Sequence, residues 1–255
     1  MSEFEDDIPP TVACARCGRV DCAGCEPEPL ASAPSHDFIW ETRAHSELKR
    51  LFAAAEQTAL EPDLVFGRLR KGGLATAFRF AFFAEMLALA SFALFALALS
   101  FSFFPVFTRA LLATPRLLAT GTILWLGGSF IVVAIHVLWG LSLEWGLATT
   151  PTRSDYNRSL RFGLYSCGWD LLTSPAGVAH ALWAAPRSLH LGAVVQATRV
   201  LRRALDAYLV DCRALDEFTR RRAWLGSLFV FGAGFVVLLL ASVFGFVYWI
   251  RSQLA

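Results

Sequence analysis

Charged residues are missing from three long stretches of this 255-residue sequence. No Asp, Glu, Lys, Arg or His occurs between Glu85 and Arg109, or anywhere in the segment 223–250. In the segment 117–143 the only titratable side chain is that of His136. A helix crosses the hydrocarbon core of a bilayer with about 20 apolar residues. The missing charge therefore predicts an all-α, polytopic helical membrane bundle and argues against a soluble domain.

Catalytic and targeting motifs are also missing. The sequence contains no Gly-rich phosphate loop, no HExxH and no paired catalytic carboxylates. Ser166 and His180 are the only pair that suggests a hydrolase, and no nucleophile-elbow motif surrounds the serine. The segment 1–75 contains no apolar stretch of the signal-peptide kind, so we expect an uncleaved N-terminus. These absences predict a protein that is not an enzyme.

The charge that is present is divided unevenly along the chain. Residues 1–30 hold seven acids and two bases, while the whole chain has a net charge of +2. The remainder is therefore basic, and its basic residues flank the apolar stretches. This pattern favours contact with anionic lipid head groups, and it argues against nucleic acid as a partner.

The segment 159–198 decides the topology. If it crosses the membrane once, the seven arginines of 199–222 face the outside. If it turns back at residues 174–177, fourteen basic residues that flank spans lie on one side, while Arg109, Arg116 and Arg251 lie on the other and Arg187 lies in the returning helix. Because cytoplasmic flanks are enriched in Lys and Arg, we expect the turn. It places the N-terminus in the cytosol and the C-terminus outside the cell (inner) membrane.

The residues at this turn suit a reversal. Pro175 cannot continue a helical hydrogen-bonding pattern and disfavours helical angles at Ser174, and Gly177 tolerates a tight bend. The first arm is only about 22 Å long at 1.5 Å per residue, so short kinked helices and a re-entrant hairpin both stay open. We expect about five transmembrane or re-entrant segments. They cover residues 78–107, 117–143, 159–173, 178–198 and 223–250.

Three further regions complete the predicted organisation: an acidic cysteine-rich tail (1–35), a cytosolic amphipathic region (36–70) that contains a helix, and a cytosolic helix (199–222) within the membrane domain 71–255. Leu201, Leu205, Tyr208, Cys212 and Leu215 recur with helical spacing along the last of these. Three interpretations stay open for it. It caps the membrane domain, lies on anionic lipid, or docks a protein partner.

Cys14, Cys17, Cys22 and Cys25 form two C-x-x-C pairs within the tail. Four thiolates suit a closed, tetrahedral structural Zn²⁺ site, and stable disulfides are rare in the cytosol. The gap of four residues between the pairs is shorter than in common zinc sites. We predict a structural zinc knuckle, with a reduced cysteine-rich tail or redox chemistry as alternatives.

Five ionisable residues lie in or beside apolar segments, and such residues are candidate functional groups. They form a candidate intramembrane polar site, for which a proton relay or a metal site stays open, although buried or interfacial packing is the expected role. The residues are His136, Glu144, Asp170, His180 and Arg187.

With this layout, residues 38–200 resemble the bacterial branch of the Yip family of multi-pass membrane proteins. The resemblance rests on Trp40-Glu41, on "EPDLVFGRLRKGG" and "HVLWGL", and most clearly on "SLRFGLYSCGWDLLTSPAGVAHALW" with its proline turn. It implies five helical segments, a cytosolic N-terminus and no enzymatic activity. Better-known members of the family are trafficking scaffolds for small GTPases. The long charged helix 199–222 departs from the compact family pattern.

These observations predict a non-enzymatic membrane scaffold or adaptor whose cytosolic tail recruits a protein partner, for which a small GTPase is one candidate. The alternative is a small transporter or channel that uses the polar residues of the 159–198 hairpin. The lipid bilayer is the other expected partner, and homo-oligomerisation stays open.

Overall fold

The computed structural model describes residues 38–42, 46–148 and 154–254, and for residues 117, 246–250 and 252–254 it describes the backbone alone. Within these ranges every regular element is helical, as the absence of charge and the apolar periodicity predict. The predicted zinc knuckle, with Cys14, Cys17, Cys22 and Cys25, lies outside the described residues.

The described part of the chain begins with a 3₁₀ turn and continues through ten α-helices, with a π-helical turn after the ninth. The 3₁₀ turn is Ile39–Glu41 and the π-helical turn is Ala207–Cys212. The α-helices are α1 Glu47–Leu60, α2 Pro62–Gly67, α3 Leu74–Phe103, α4 Pro105–Leu112, α5 Pro115–Leu147, α6 Tyr156–Thr173, α7 Pro175–Trp183, α8 Arg187–Ala197, α9 Leu201–Asp206 and α10 Glu217–Leu254.

Three of these helices, α3, α5 and α10, are long and apolar enough to cross a membrane. The qualifying segments are Leu74–Phe103, Leu118–Leu147 and Glu217–Gly245. They contain most of the three uncharged runs of the sequence, so composition alone locates them. This architecture is compatible with a multi-pass membrane protein.

The three long helices pack side by side with alternating directions. The indole nitrogen of Trp125 in α5 donates to the Met86 carbonyl of α3 over 2.9 Å. A Cβ on Gly226 of α10 would lie 3.0 Å from the Gly146 Cα of α5. The two glycines therefore let α5 and α10 approach almost to backbone contact.

The molecule has two parts that differ in packing. The packed half consists of residues 38–42, 46–88, 129–148 and 154–227, where α1, α2 and α6–α9 surround one end of the long helices. The exposed half consists of residues 89–128 and 228–254, where the long helices continue with only the short α4 beside them. In the exposed half Thr108 is the only buried residue among the side chains that the structure describes.

Helix α6 lies at the centre of the packed half, against α1, α3 and α5. A Cβ on its Gly168 would lie 3.1 Å from both the Ala55 Cα of α1 and the Phe80 ring of α3. Phe162, Tyr165 and Leu171 are fully buried. Neighbouring helices, rather than lipid, thus cover α6, which explains how it carries Arg158, Arg161 and Asp170 among its 18 residues.

The break between α6 and α7 falls at Ser174, within the predicted turn at residues 174–177. Helix α6 ends at Thr173, and α7 begins with Pro175 as its first residue. The Ser174 hydroxyl accepts a weak hydrogen bond of 3.4 Å from the Gly177 amide and donates to the Leu171 carbonyl over 2.7 Å. One side chain therefore ends α6 and begins α7.

The structure differs from the sequence prediction in the returning arm and in the cytosolic helix. The segment 178–198 comprises parts of two helices, α7 and α8, that residues 184–186 separate, because Pro186 interrupts the hydrogen-bonding pattern. The segment 199–222 is divided into α9, a π-helical turn and the start of α10. Neither 159–173 nor 178–198 is among the three candidate spans in the described ranges.

Candidate functional site

Two close backbone contacts place α6 against α5. A Cβ on Gly163 of α6 would lie 2.2 Å from the His136 carbonyl oxygen, and one on Gly140 of α5 would lie 2.4 Å from the Ser159 carbonyl oxygen. No other residue type fits at either position without a shift of backbone. The crossing brings His136 directly over the last two turns of α6.

The His136 cluster consists of Glu85, His136, Ser166, Cys167 and Asp170, from α3, α5 and α6. The His136 Nε2 atom lies 2.8 Å from Asp170 Oδ2 and 3.8 Å from Glu85 Oε1. Its Nδ1 atom lies 2.8 Å from the Ser166 hydroxyl. The ligand atoms of Glu85, His136 and Cys167 all lie within 4.8 Å of one another. Five polar side chains thus meet where three helices cross.

Solvent reaches the His136 cluster from the side of Asp170. The side chain of Glu85 is 2% exposed and that of His136 is 12% exposed, whereas the Asp170 side chain is 47% exposed. Cys167 is fully buried. Asp170 is therefore the member through which an ion or a proton would enter.

The cluster lies at the boundary between the two halves of the molecule. Beyond it, α3 continues from Glu85 to its end at Phe103, and α5 arrives at His136 from its start at Pro115. At 1.5 Å per residue these two stretches are about 27 and about 31 Å long. Each is close to the thickness of a hydrocarbon core, about 30 Å.

A second polar network, the Glu144 network, joins the other end of α5 to α6 and the π-helical turn. Glu144 accepts hydrogen bonds of 2.5 Å from the Ser159 hydroxyl and from Arg213 Nη1. The Tyr208 hydroxyl lies 2.5 Å from the same Ser159 oxygen. Burial raises the pKa of Tyr208, so the phenol stays neutral. The network is an enclosed bridge, because the side chains of Glu144 and Arg213 are 0% and 4% exposed.

A third group, the His180 cluster, consists of Glu56, His180 and His190 from α1, α7 and α8. Glu56 hydrogen-bonds His190 Nδ1, and its Oε1 atom lies 3.5 Å from His180 Nε2. The Phe52 ring stacks on the His180 ring at a centroid distance of 4.2 Å. These contacts attach the returning arm of the hairpin to α1.

A fourth set of contacts anchors the region before α1. Arg161 of α6 pairs with Glu41 and donates to the Arg70 carbonyl. The Tyr165 hydroxyl hydrogen-bonds Glu41. The segments that carry the Yip resemblance, which are far apart in sequence, thus meet through Glu41, Arg161 and Tyr165.

An arginine-lined groove of about 530 Å³ lies between α9 and the start of α10. Its floor includes Leu205, Leu209 and Trp224, and Asp206 pairs with Arg220 over 3.1 Å at its rim. Three other arginines line it: Arg199, Arg202 and Arg221. Tyr208 and Leu209 are buried beside α2.

The structure brings only two of the five predicted polar residues together. His136 and Asp170 form a contact of 2.8 Å, but Glu144 lies two turns away in a separate network and His180 lies in the third group. Arg187 is exposed at the start of α8. The predicted intramembrane polar site is therefore divided among separate places in the fold.

Sequence reasoning missed four partners of these residues: Glu85, Cys167, Glu56 and His190. Glu85 carries a usable signal, because it is the only acidic residue in the 30-residue helix α3. Cys167 resembles an ordinary small apolar residue in the sequence, and nothing local indicates that it faces Glu85 and His136.

Comparison with known proteins gives no match to this chain among family models, curated proteins or solved structures.

Proposed function

We propose that the protein is a non-enzymatic integral membrane scaffold of the Yip-like type, oriented with the packed half in the cytosol. Its cytosolic tail, with a zinc knuckle at the four cysteines, recruits a protein partner. The observation that carries this proposal is the division of the polar residues into separate clusters, each of which bridges helices. The His136 cluster does place Ser166 and Asp170 against the two ring nitrogens of His136, but the Ser166 hydroxyl donates to the Gly163 carbonyl and not to the imidazole.

Two further features support the proposal. Glu41, Arg161 and Tyr165 come from segments that resemble the Yip family and meet through hydrogen bonds, and Phe66 of another such segment packs on Phe162 with the two rings 4.8 Å apart. The arginine-lined groove and the basic clusters lie on the packed half. This distribution agrees with the cytoplasmic enrichment of positive charge.

Cross-linking in native membranes tests the scaffold role. Three forms are compared: the wild type, a form without residues 1–35, and a form with Ser at Cys14, Cys17, Cys22 and Cys25. We expect a specific cross-linked protein that disappears in the second form and weakens in the third. Identical cross-links from all three forms would contradict recruitment by the tail.

A small GTPase as the partner can be tested through its nucleotide state. Cross-linking to such a partner should differ between membranes loaded with GDP and membranes loaded with a non-hydrolysable GTP analogue. Equal cross-linking in both nucleotide states would remove the GTPase from the proposal while leaving the scaffold role in place.

The second candidate function is a small transporter or channel, and the His136 cluster favours it. Its two carboxylates and one imidazole lie at the boundary between the packed half and the exposed half, and the Asp170 side chain is partly exposed. Purified protein in vesicles should then conduct protons or cations, and Asp170→Asn should abolish the flux without loss of folding. That result would overturn the scaffold as the main function.

A further inference from the structure

The His136 cluster has an internal arrangement that neither the scaffold role nor the bilayer explains. The Ser166 hydroxyl donates to the Gly163 carbonyl over 2.6 Å. Its oxygen therefore accepts from His136 Nδ1–H. His136 Nε2 then points at Glu85 and Asp170, both acceptors when ionised, so a proton or a metal ion belongs between this nitrogen and the carboxylates.

The acidic side chains are poorly compensated within this arrangement. Glu85 Oε1 is buried and accepts no hydrogen bond from any residue that the structure describes. Both carboxylates lie within 3.8 Å of the same imidazole nitrogen. Two carboxylates that share one site repel each other unless a proton or a cation lies between them. The cluster therefore has the electrostatics of a cation site.

We propose that Glu85, His136, Cys167 and Asp170 bind a single transition-metal dication, with Zn²⁺ as the best match, at the junction of α3, α5 and α6. A thiolate, an imidazole nitrogen and carboxylate oxygens are the ligands that Zn²⁺ takes in proteins. Metal-bound histidines usually donate their other ring N–H to a neighbouring group, and here Ser166 accepts it.

The distances fit this ion. Zn²⁺ bonds of about 2.0–2.3 Å in a tetrahedron place neighbouring ligand atoms about 3.3–3.7 Å apart. Glu85 Oε1 lies 3.8 Å from His136 Nε2, and the Cys167 sulfur lies within 4.8 Å of both. Asp170 Oδ2 is closer to the imidazole, at 2.8 Å, and its exposed position lets it move outward. Shifts of about an ångström complete a four-ligand site.

The ion would join three helices from distant parts of the sequence. Glu85 belongs to α3, His136 to α5, and Cys167 and Asp170 to α6. Binding would tie the central helix of the packed half to two of the three long helices. This role is independent of the tail cysteines and of the tail's partner.

The test uses the full chain in lipid nanodiscs with Ser at the four tail cysteines, so that the tail cannot supply thiolates. Co²⁺ is the probe, since its absorption spectrum reports thiolate ligation, and Zn²⁺ is then titrated in competition. We expect about one Co²⁺ per chain, with a thiolate-to-cobalt charge-transfer band, displaced by Zn²⁺. Absence of bound Co²⁺ would overturn the proposal.

Three variants locate the ion. Glu85→Gln should abolish binding, and Cys167→Ser should remove the charge-transfer band. Because Cys167→Ser is nearly isosteric and is read on the spectrum of the ion itself, it keeps the test informative even if Glu85→Gln fails to fold. Ser166→Ala should weaken binding about tenfold or more, as expected for a group that orients a metal ligand. Retention of the charge-transfer band in Cys167→Ser would contradict the site.

The His180 cluster supplies the matched control, because it also brings three potential ligands together. Glu56→Gln and His190→Gln should leave the Co²⁺ spectrum and stoichiometry unchanged. Loss of Co²⁺ in Glu56→Gln, with Glu85→Gln unaffected, would assign the ion to α1, α7 and α8 instead and overturn the proposal.

Discussion

The packed half and the exposed half use the same helices in opposite ways. In the packed half, α3 contributes Ala77, Phe80 and Ala84 to a closed core with α6, and its apolar side chains meet other side chains. In the exposed half, the same helix presents Leu94, Phe95 and Phe103 outward, and they are 66%, 54% and 72% exposed. Soluble monomers rarely expose such continuous apolar surface. Protein therefore covers the packed half, and lipid is the expected cover of the exposed half.

The polar residues follow the same division. The His136 cluster, the Glu144 network and the His180 cluster all lie in the packed half, where helices on several sides supply partners. In the exposed half the described serine and threonine hydroxyls that form hydrogen bonds mainly donate to their own helix, as Ser102 does to the Ala98 carbonyl. Hydroxyl groups whose hydrogen bonds are made within their own helix suit the bilayer interior, where no water is present to bond them.

Breaking the Glu144 network should be among the changes that lower the free energy of unfolding of the packed half the most. Arg213→Met leaves the buried carboxylate of Glu144 without its cationic partner, and such a change lowers the free energy of unfolding by about 3–5 kcal/mol. The measurement is thermal unfolding in nanodiscs. The control is Arg202→Met, whose parent side chain is 94% exposed. Equal unfolding temperatures for the two variants would show that the network contributes nothing.

Removal of one aromatic ring from each half compares their packing directly. Phe162 is fully buried, with the Phe66 and Tyr208 rings 4.8 and 4.9 Å away. Phe162→Ala should lower the free energy of unfolding by about 3–5 kcal/mol. Phe244 is 70% exposed, and Phe244→Ala should change the unfolding temperature little. A larger effect at Phe244 would mean that another subunit covers this surface.

An arginine introduced into each half tests which half lies in the hydrocarbon of the bilayer and which lies in water. Leu94 lies midway between Glu85 and Phe103, and Leu94→Arg should disfavour insertion by about 2.5–3.5 kcal/mol. Leu201→Arg, on a side chain 48% exposed in the packed half, should insert normally. The fraction of chain integrated into membranes measures both. Normal integration of Leu94→Arg would place the middle of α3 outside the hydrocarbon.

Glycine-to-alanine changes in the two halves should differ in their effect on the free energy of unfolding, by a smaller amount than the changes above. Gly163→Ala places a methyl group against the His136 carbonyl, and overpacking of this kind lowers the free energy of unfolding by about 1–3 kcal/mol. Gly127 and Gly232 of the exposed half have no atom within 4 Å of a built Cβ, so Gly127→Ala and Gly232→Ala should be neutral. Unfolding temperatures check the set. A neutral Gly163→Ala would mean that α5 and α6 separate readily.

The sequence predicts the long helices well, because a run without charge is a local property. The break between α6 and α7 at Pro175 is local too, and the turn residues predict it. The break at Pro186 has a local signal that the predicted span 178–198 disregards. By contrast, the cover on α6 depends on residues far away in the chain, as in the pair of Glu41 with Arg161. Periodicity carries no information about such contacts.

The candidate site shows the same limit. His136 and Asp170 can be selected from the sequence because charge is rare in apolar segments. Their meeting at 2.8 Å depends on the close crossing of α5 and α6 at Gly140 and Gly163. Cys167 becomes a candidate ligand only when that crossing places it beside Glu85.

We expect the segment between α5 and α10 to lie on one face of the bilayer, opposite the α4–α5 link. Single cysteines at Ala113 and Val210, in a chain whose other cysteines are replaced by serine, test this with an impermeant maleimide on intact cells. Position 113 should react at once, and position 210 should react only after permeabilisation. Reaction of position 210 in intact cells would contradict this expectation.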